Sequence, residues 1–183
     1  MSSMSLVSPF QGLASKDTLR SVLQVIGASL FLAFCAQIAL PLHFTPVPLS
    51  MQTLGVMLVG AFLGKRKGAL AVLAYLAEGS LGLPVFAGGA GGVIYLMGPT
   101  AGYLLGFVLQ AYIIGSWMER KARYSVGTTL LVLTLSSVAM LTSGSLWLSS
   151  FVGLSSAFTL GAYPFVIGEV LKAIGVACYL KKS

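Results

Sequence analysis

Three long stretches of the chain contain no lysine, arginine, aspartate or glutamate: residues 21–64, 79–118 and 124–168. A transmembrane helix needs about 20 mostly apolar residues, so each stretch has room for two crossings. The pattern predicts an all-α integral membrane protein with six transmembrane helices. We place them near residues 22–42, 49–63, 68–81, 99–118, 126–147 and 164–180.

The basic residues set the expected topology. Nearly all of them fall into four clusters along the chain: Lys16 and Arg20; Lys65, Arg66 and Lys67; Arg120, Lys121 and Arg123; Lys181 and Lys182. Positive clusters favour the cytoplasmic side, and consecutive clusters on one side require an even number of crossings between them. We therefore expect one membrane domain, 1–183, with a cytoplasmic N-terminal segment 1–21, a bundle 22–180, a tail 181–183, and both termini inside.

Composition narrows the class of protein. The apolar share is 57%, only 8% of the residues are charged, and the mean hydropathy is +0.95. So few charges cannot cover the surface of a water-soluble domain of this length. Disorder, a nucleic-acid module and most soluble enzymes are excluded, and the net charge of +7 is interpreted as a topology signal that needs no nucleic-acid partner.

A glycine- and proline-rich run at 82–92 interrupts the helical pattern. Such a run cannot form a regular helix. Irregular backbone at membrane depth is tolerated where it is buried in protein or lines a cavity. The run is therefore a candidate binding segment, and a plain outer loop is the alternative. A second break, 43–48, contains two prolines and predicts an apolar outer loop.

Three charges fall inside predicted spans: Glu78, Glu169 and Lys172. Charges at bilayer depth are costly, usually paired and often functional. Glu169 and Lys172 are three residues apart and share one helix face, so they offer a strong acceptor beside a strong donor. The alternative is an ion pair that only locks helix packing. For Glu78, an interfacial or snorkelling carboxylate is the favoured interpretation.

Other polar residues give weaker signals. Gln37 and Gln52 are expected to be buried amides, and Tyr95 and Tyr103 suit either core packing or a pocket wall. No phosphate-binding loop motif, zinc-protease motif or nucleophile–base constellation is present, and His43 is the only histidine. We expect neither catalysis nor a metal site.

Small residues recur along predicted span 1 at Ser29, Ala33 and Ala36. Small stripes allow another helix to approach closely. This stripe is a candidate docking face for a partner subunit, and packing within the same bundle is the alternative.

Three segments of the chain resemble the BioY family. They are Thr45-Pro46-Val47-Pro48-Leu49-Ser50-Met51-Gln52-Thr53-Leu54; Gly82-Leu83-Pro84-Val85-Phe86-Ala87-Gly88-Gly89 with Gly91-Gly92 and 98–107; and Pro164-Phe165 with Gly168-Glu169-Val170-Leu171-Lys172. The resemblance implies a six-helix substrate-binding (S) component of an energy-coupling factor (ECF) transporter for biotin in the bacterial cytoplasmic membrane. It also implies a transmembrane coupling subunit and two cytosolic ATPases, with biotin as transported ligand and no cofactor.

The resemblance places the ureido-ring contacts of the last span on Glu169 and Lys172. The expected site adds Thr45, Gln52, Phe86, Gly88, Gly89, Tyr95 and Tyr103. The family usually has aspartate at the position of Glu169, a polar amide near 86–89, and glycine at the position of Ala101. An S component for riboflavin or thiamine, and a structural membrane protein, are the alternatives.

Overall fold

The structure, a computed structural model, describes residues 16–120 and 125–182. Seven α-helices and one two-stranded ribbon follow in chain order within these ranges: α1 Lys16–Gln37, β1 Ala39–Leu40, β2 Leu49–Ser50, α2 Gln52–Ser80, α3 Val93–Leu96, α4 Ala101–Met118, α5 Val126–Val152, α6 Leu154–Gly161 and α7 Tyr163–Lys182. Lys121 and Arg123 of the predicted third basic cluster lie outside the described residues.

Helix α2 contains two of the predicted spans. Gly64 lies inside it with φ 76° and ψ −179°, a conformation that only glycine adopts readily. The chain reverses at Gly64. The reversal brings Gly68 so close to Gly60 that a Cβ on Gly68 would lie 3.2 Å from the Cα of Gly60. The two arms, 52–63 and 65–80, are thus antiparallel neighbours. Together with α1, α4, α5 and α7 they form six long helical segments, so the six-helix prediction is confirmed.

The first helix ends earlier than predicted. Span 1 was expected to reach residue 42, whereas α1 ends at Gln37. Ala39 and Leu40 instead pair antiparallel with Ser50 and Leu49. This short ribbon closes the proline-containing loop over one end of the bundle, so the outer loop is longer than the hydropathy pattern indicated.

The glycine-rich run has no regular helix, as predicted. A single 3₁₀ turn spans Ala87–Gly89, and the short helix α3 follows. Four glycines of the run have positive φ: Gly82, Gly88, Gly89 and Gly92. These values bend the chain back over the bundle, where the backbone N–H of Gly92 donates to the carbonyl of Gly79 at 2.7 Å.

The connection between the last two spans is helical. Span 5 was expected to end at residue 147, but α5 continues to Val152. Gly153, with φ 79°, then breaks the helix, and α6 leads into α7. The apolar character of 148–163 thus belongs to helix rather than to an irregular connector.

Within residues 16–120 and 125–182, four helical segments are long and apolar enough to cross a membrane: Lys16–Gln37, Ala101–Met118, Val126–Val152 and, with α6 and α7 taken together, Leu154–Lys181. Many large apolar side chains on these helices are exposed, among them Phe34, Leu105, Leu135 and Ile167. Such an apolar exterior suits a lipid environment, since a soluble protein rarely exposes large apolar patches. The protein is a multi-pass membrane protein.

Apart from Lys172, the described basic residues gather at one end of the bundle. Lys67 Nζ donates to Gln24 Oε1 of α1 at 2.8 Å, and Lys65 Nζ lies 3.4 Å from Glu119 Oε2 after α4. The ring of Tyr179, two residues before Lys181, packs edge-on against Phe62 with centroids 6.1 Å apart. Four sequence-distant clusters therefore meet at what we name the basic end.

Candidate functional site

An ion pair lies inside the bundle on α7. Lys172 Nζ is 2.9 Å from Glu169 Oε1, and the two side chains are 12% and 6% exposed. The predicted placement on one helix face is confirmed. A buried pair of this kind is stable only if further hydrogen bonds satisfy both groups.

The donors of Lys172 are fully used. Its ammonium donates to Glu169 Oε1, to Thr53 Oγ1 at 2.6 Å and to the carbonyl oxygen of Ser50 at 2.8 Å. An ammonium has three N–H donors, so all three have acceptors here. A ligand carbonyl can reach this group only by replacing one of them. The carbonyl oxygen of Ser50 is the acceptor that most resembles a ligand carbonyl, so it is the one that a ligand carbonyl would replace.

Glu169 receives hydrogen bonds from three elements. Thr53 Oγ1 donates to Oε1 at 2.5 Å, alongside Lys172, and Ser137 Oγ of α5 donates to Oε2 at 3.0 Å. A carboxylate accepts about four hydrogen bonds, so one acceptor position, on Oε2, is left. That position suits an N–H donor of a ligand.

A buried amide supports this carboxylate from behind. Gln110 Nε2 of α4 donates a hydrogen bond to Ser137 Oγ at 3.0 Å, and the Ser137 hydroxyl in turn donates one to Glu169 Oε2. Gln110 is fully buried. We name Gln110, Ser137 and Glu169 the polar relay. Sequence reasoning missed Gln110, Ser137 and Thr53, although a glutamine in the middle of the apolar helix α4 was a visible signal.

The ion pair borders a small cavity of about 50 Å³. Its other walls are mostly apolar and aromatic, and come from six parts of the fold, namely the ribbon loop, α2, α3, α4, α5 and α7: Val47, Pro48, Leu49, Ser50, Gln52, Thr53, Tyr95, Thr100, Tyr103, Leu104, Phe107, Met140, Leu141 and Phe165. Pockets for drug-sized ligands hold roughly 300–1,000 Å³. The space beside the ion pair is therefore smaller than a vitamin-sized ligand needs.

A second cavity of about 290 Å³ lies beside the first. Tyr95 and Pro48 border both, so they form the wall between them. Thr45 and Gly88, both predicted as site residues, line this second cavity. Displacing Tyr95 would join the two spaces.

Three predicted site residues lie beside the ion pair: Gln52, Tyr95 and Tyr103. Gln52 Nε2 donates to Tyr75 OH at 2.6 Å, and Tyr75 OH donates to the carbonyl of Val85 at 3.2 Å. Tyr103 OH donates to the carbonyl of Gly161 at 2.8 Å. Both polar groups are thus held by the protein and shape the wall.

Phe86 and Gly89 do not line either cavity. Phe86 is completely buried, with its ring stacked on Tyr95 at 5.0 Å between centroids and edge-on to Tyr75 at 5.5 Å. Its place supports Tyr95 from behind. Gly89 closes the 3₁₀ turn with φ 73°. Their roles as ligand contacts remain predictions.

The small-residue stripe of α1 faces the bundle. Ser29 and Ala36 have no exposed surface, and Ala33 is half-buried. Ser29 Oγ donates to Glu78 Oε1 of α2 at 2.6 Å. The structure packs Ser29 and Ala36 within the bundle, which was the alternative, and their role in docking stays a prediction. It also gives Glu78 a protein partner rather than a snorkelling position at the interface.

The model of the BioY family matches residues 6–183. The chain belongs to the BioY family. The match spans the ribbon loop and α7, which border the ion-pair cavity, and the glycine-rich run, which borders the second cavity.

Two relatives named as BioY proteins are similar to most of this chain. The chain is 38% identical over 156 residues to "Biotin transporter BioY2" of Lactococcus lactis, covering 84% of each protein. It is 38% identical over 158 residues to "Biotin transporter BioY" of Thermotoga maritima, covering 84% of this chain and 91% of that one. A solved structure, the S-component for biotin from an ECF-type ABC transporter, superposes with a TM-score of 0.81. It is 25% identical, over 92% of this chain and 93% of that one.

Proposed function

We propose that this protein is the substrate-binding component of an ECF-type transporter and that it captures biotin for uptake across the cytoplasmic membrane. Curated relatives that share most of the chain carry the name biotin transporter. The observation in this chain that carries the proposal is the buried Glu169–Lys172 pair at a mostly apolar cavity. On this proposal the protein binds and releases its ligand unchanged and is not an enzyme.

The chemistry of the cavity suits biotin. The open acceptor position on Glu169 Oε2 can take a ureido N–H, and Lys172 can donate to the ureido oxygen once that oxygen replaces Ser50 O. Aromatic and apolar walls, including Tyr95 and Phe107, suit the sulfur-containing ring and the aliphatic chain. The exchange at Ser50 also couples ligand entry to movement of the ribbon loop, because Ser50 belongs to β2.

The basic end is proposed to face the cytoplasm. Lys67, Lys65 and Arg120 lie there, and positive residues favour that side of the membrane. The ion-pair cavity then opens to the outside. A transmembrane coupling subunit and two cytosolic ATPases are the proposed partners. Of the small-residue stripe on α1, Ala33 is the member with surface left for such contact.

Direct binding tests the proposal. Purified protein in detergent is titrated with biotin by calorimetry, beside Lys172→Ala, Glu169→Gln and the control Ser136→Ala. Ser136 is buried and donates to Leu133 O of its own helix. We expect binding far tighter than ~1 mM in the wild type and the control, and about 10- to 100-fold weaker in the two site variants. A wild-type affinity for biotin weaker than ~1 mM would contradict the proposal.

A structural role for the pair is the second candidate, because every donor of Lys172 already has a protein acceptor. Equal biotin affinity in the wild type and the two site variants would assign the pair to helix locking and place the binding site elsewhere. Riboflavin or thiamine displacing biotin at equal concentration would instead indicate another vitamin as the substrate.

A further inference from the structure

A third cavity lies at the basic end, far along α4 from the ion pair. It is an open cavity of about 330 Å³, lined by Lys65 after the Gly64 turn, by the last two turns of α4 with Arg120 just beyond them, and by Val132 of α5. The ion-pair cavity touches α4 near Tyr103 and Phe107, whereas this cavity touches it from Tyr112 onward. The two spaces share no lining residue.

The wall of this cavity changes from apolar to charged along α4. Tyr112, Ser116 and Arg120 all line it and are spaced four residues apart, so they follow one face of the helix for about 12 Å. Ile113 and Val132 form the apolar part. At the apolar end, half of Tyr112 is exposed beside the exposed side chains of Leu109 and Leu131. The cavity therefore continues onto a surface that faces lipid tails.

The polar end is positively charged. Lys65 and Arg120 line it, and the one acidic neighbour among the described residues is Glu119. Glu119 lies 3.4 Å from Lys65 Nζ and also accepts a hydrogen bond from the backbone N–H of Lys65 at 2.9 Å. Glu119 thus balances one of the two cations, which leaves one positive charge for an anion.

Ser116 adds an unused donor. Its hydroxyl has no hydrogen-bond partner in the described part of the chain. Other helical serines, Ser136, Ser143 and Ser149, donate to a carbonyl three residues earlier in their own helix. An unpaired hydroxyl between an apolar wall and a guanidinium is costly to leave without a partner and suits an oxygen of a ligand.

We propose that this cavity binds an anionic phospholipid, with its phosphate between Arg120, Lys65 and Ser116 and one acyl chain along Ile113 and Val132. The charge selects an anion, and the apolar wall that meets the bilayer selects an amphiphile over a free ion. The space also exceeds what a phosphate group alone fills. The proposal is independent of the ligand bound at Glu169.

The test uses the full chain in detergent, stripped of lipid. Thermal unfolding is followed while phosphatidylglycerol, phosphatidylcholine or inorganic phosphate is added to wild type, Arg120→Gln, Ser116→Ala and the control Arg66→Gln. Arg66 is exposed, has the same charge and does not line the cavity. We expect phosphatidylglycerol alone to stabilise the wild type and the control. Half-maximal stabilisation needs about fivefold more lipid in Arg120→Gln and about two- to threefold more in Ser116→Ala.

Three results would overturn the proposal. Equal stabilisation by phosphatidylcholine removes the role of charge, and equal stabilisation by inorganic phosphate replaces the lipid with a free anion. The same loss in Arg66→Gln as in Arg120→Gln makes the attraction diffuse rather than local. Ser116→Ala changes no charge, so it keeps the test decisive if Arg120→Gln does not fold. Biotin affinity is expected to stay unchanged in all four proteins.

Discussion

Two carboxylates lie within the membrane-spanning bundle, and the protein treats them differently. Glu169 accepts hydrogen bonds from Thr53, Ser137 and Lys172, and the last of these is a cation. Glu78 accepts one hydrogen bond, from Ser29, and its Oε2 is buried with no partner among the described residues. Both are single acidic residues in apolar helices, and in the sequence only the lysine three residues after Glu169 sets them apart.

The difference shows what a binding site requires beyond a buried charge. Taking a carboxylate out of water costs several kcal/mol, and only a matched cation and donors offset that cost. At Glu169 the helices α2, α5 and α7 each supply a donor, so a negative charge is supported and aimed at a cavity. At Glu78 the single hydroxyl of Ser29 joins α1 to α2, which is a packing role.

Removal of the Lys172 cation is the strongest test of this difference between the two carboxylates. Lys172→Met leaves Glu169 buried with its two hydroxyl donors, and we expect a loss of about 3–5 kcal/mol in the free energy of unfolding. The double variant Glu169→Leu with Lys172→Met should recover most of that loss but not biotin binding. Reversible unfolding in detergent measures the free energy of unfolding, and calorimetry measures biotin binding. A Lys172→Met variant as stable as the wild type would mean that the Lys172 ammonium does not offset the cost of burying a charged Glu169.

The polar relay provides a smaller and more specific test. Ser137→Ala removes the donor to Glu169 Oε2 and leaves Gln110 without its acceptor, so the carboxylate is free to rotate. We expect biotin affinity to fall about tenfold, the equivalent of about 1.4 kcal/mol. Ser136→Ala is the matched control, since Ser136 is equally buried but bonds within its own helix.

The relay also makes a structural role separable from a positioning role. If Ser137 only stabilises the bundle, both serine variants should lower the unfolding temperature while biotin affinity stays constant. A positioning role predicts that Ser137→Ala has no further effect on affinity when Glu169→Gln is already present, because the two changes then act on one contact. Additive losses would contradict the relay.

Hydropathy and charge were enough to predict the architecture and the ion pair. The uncharged stretches predicted six helices, and the three-residue spacing of Glu169 and Lys172 placed them on one face of α7. Such local relations survive in the fold because they depend on helix geometry alone. The reversal at Gly64 was likewise marked, by the basic residues that follow it.

The partners of Glu169 on other helices, Thr53 and Ser137, could not be predicted from the sequence. Thr53 is 116 residues away in the chain, and contact depends on how α2 and α7 are rotated about their axes. In a membrane bundle both faces of a helix are apolar, so the hydropathy pattern does not fix this rotation. The end of α1 was predicted wrongly for a similar reason, because pairing of Ala39 with Ser50 is a nonlocal contact.

The smallest expected effect belongs to Glu78. Glu78→Gln keeps an acceptor for Ser29 Oγ and removes a charge for which, within the described residues, no lysine or arginine forms an ion pair. Because the lost charge had little support, we expect a change of less than about 1 kcal/mol in the free energy of unfolding and a biotin affinity within about twofold of wild type. Glu169→Gln, the same chemical change at the other carboxylate, is the matched comparison. If Glu78→Gln weakens biotin binding as much as Glu169→Gln does, then Glu78 also acts on the ligand. The distinction between a binding carboxylate and a packing carboxylate would then fail.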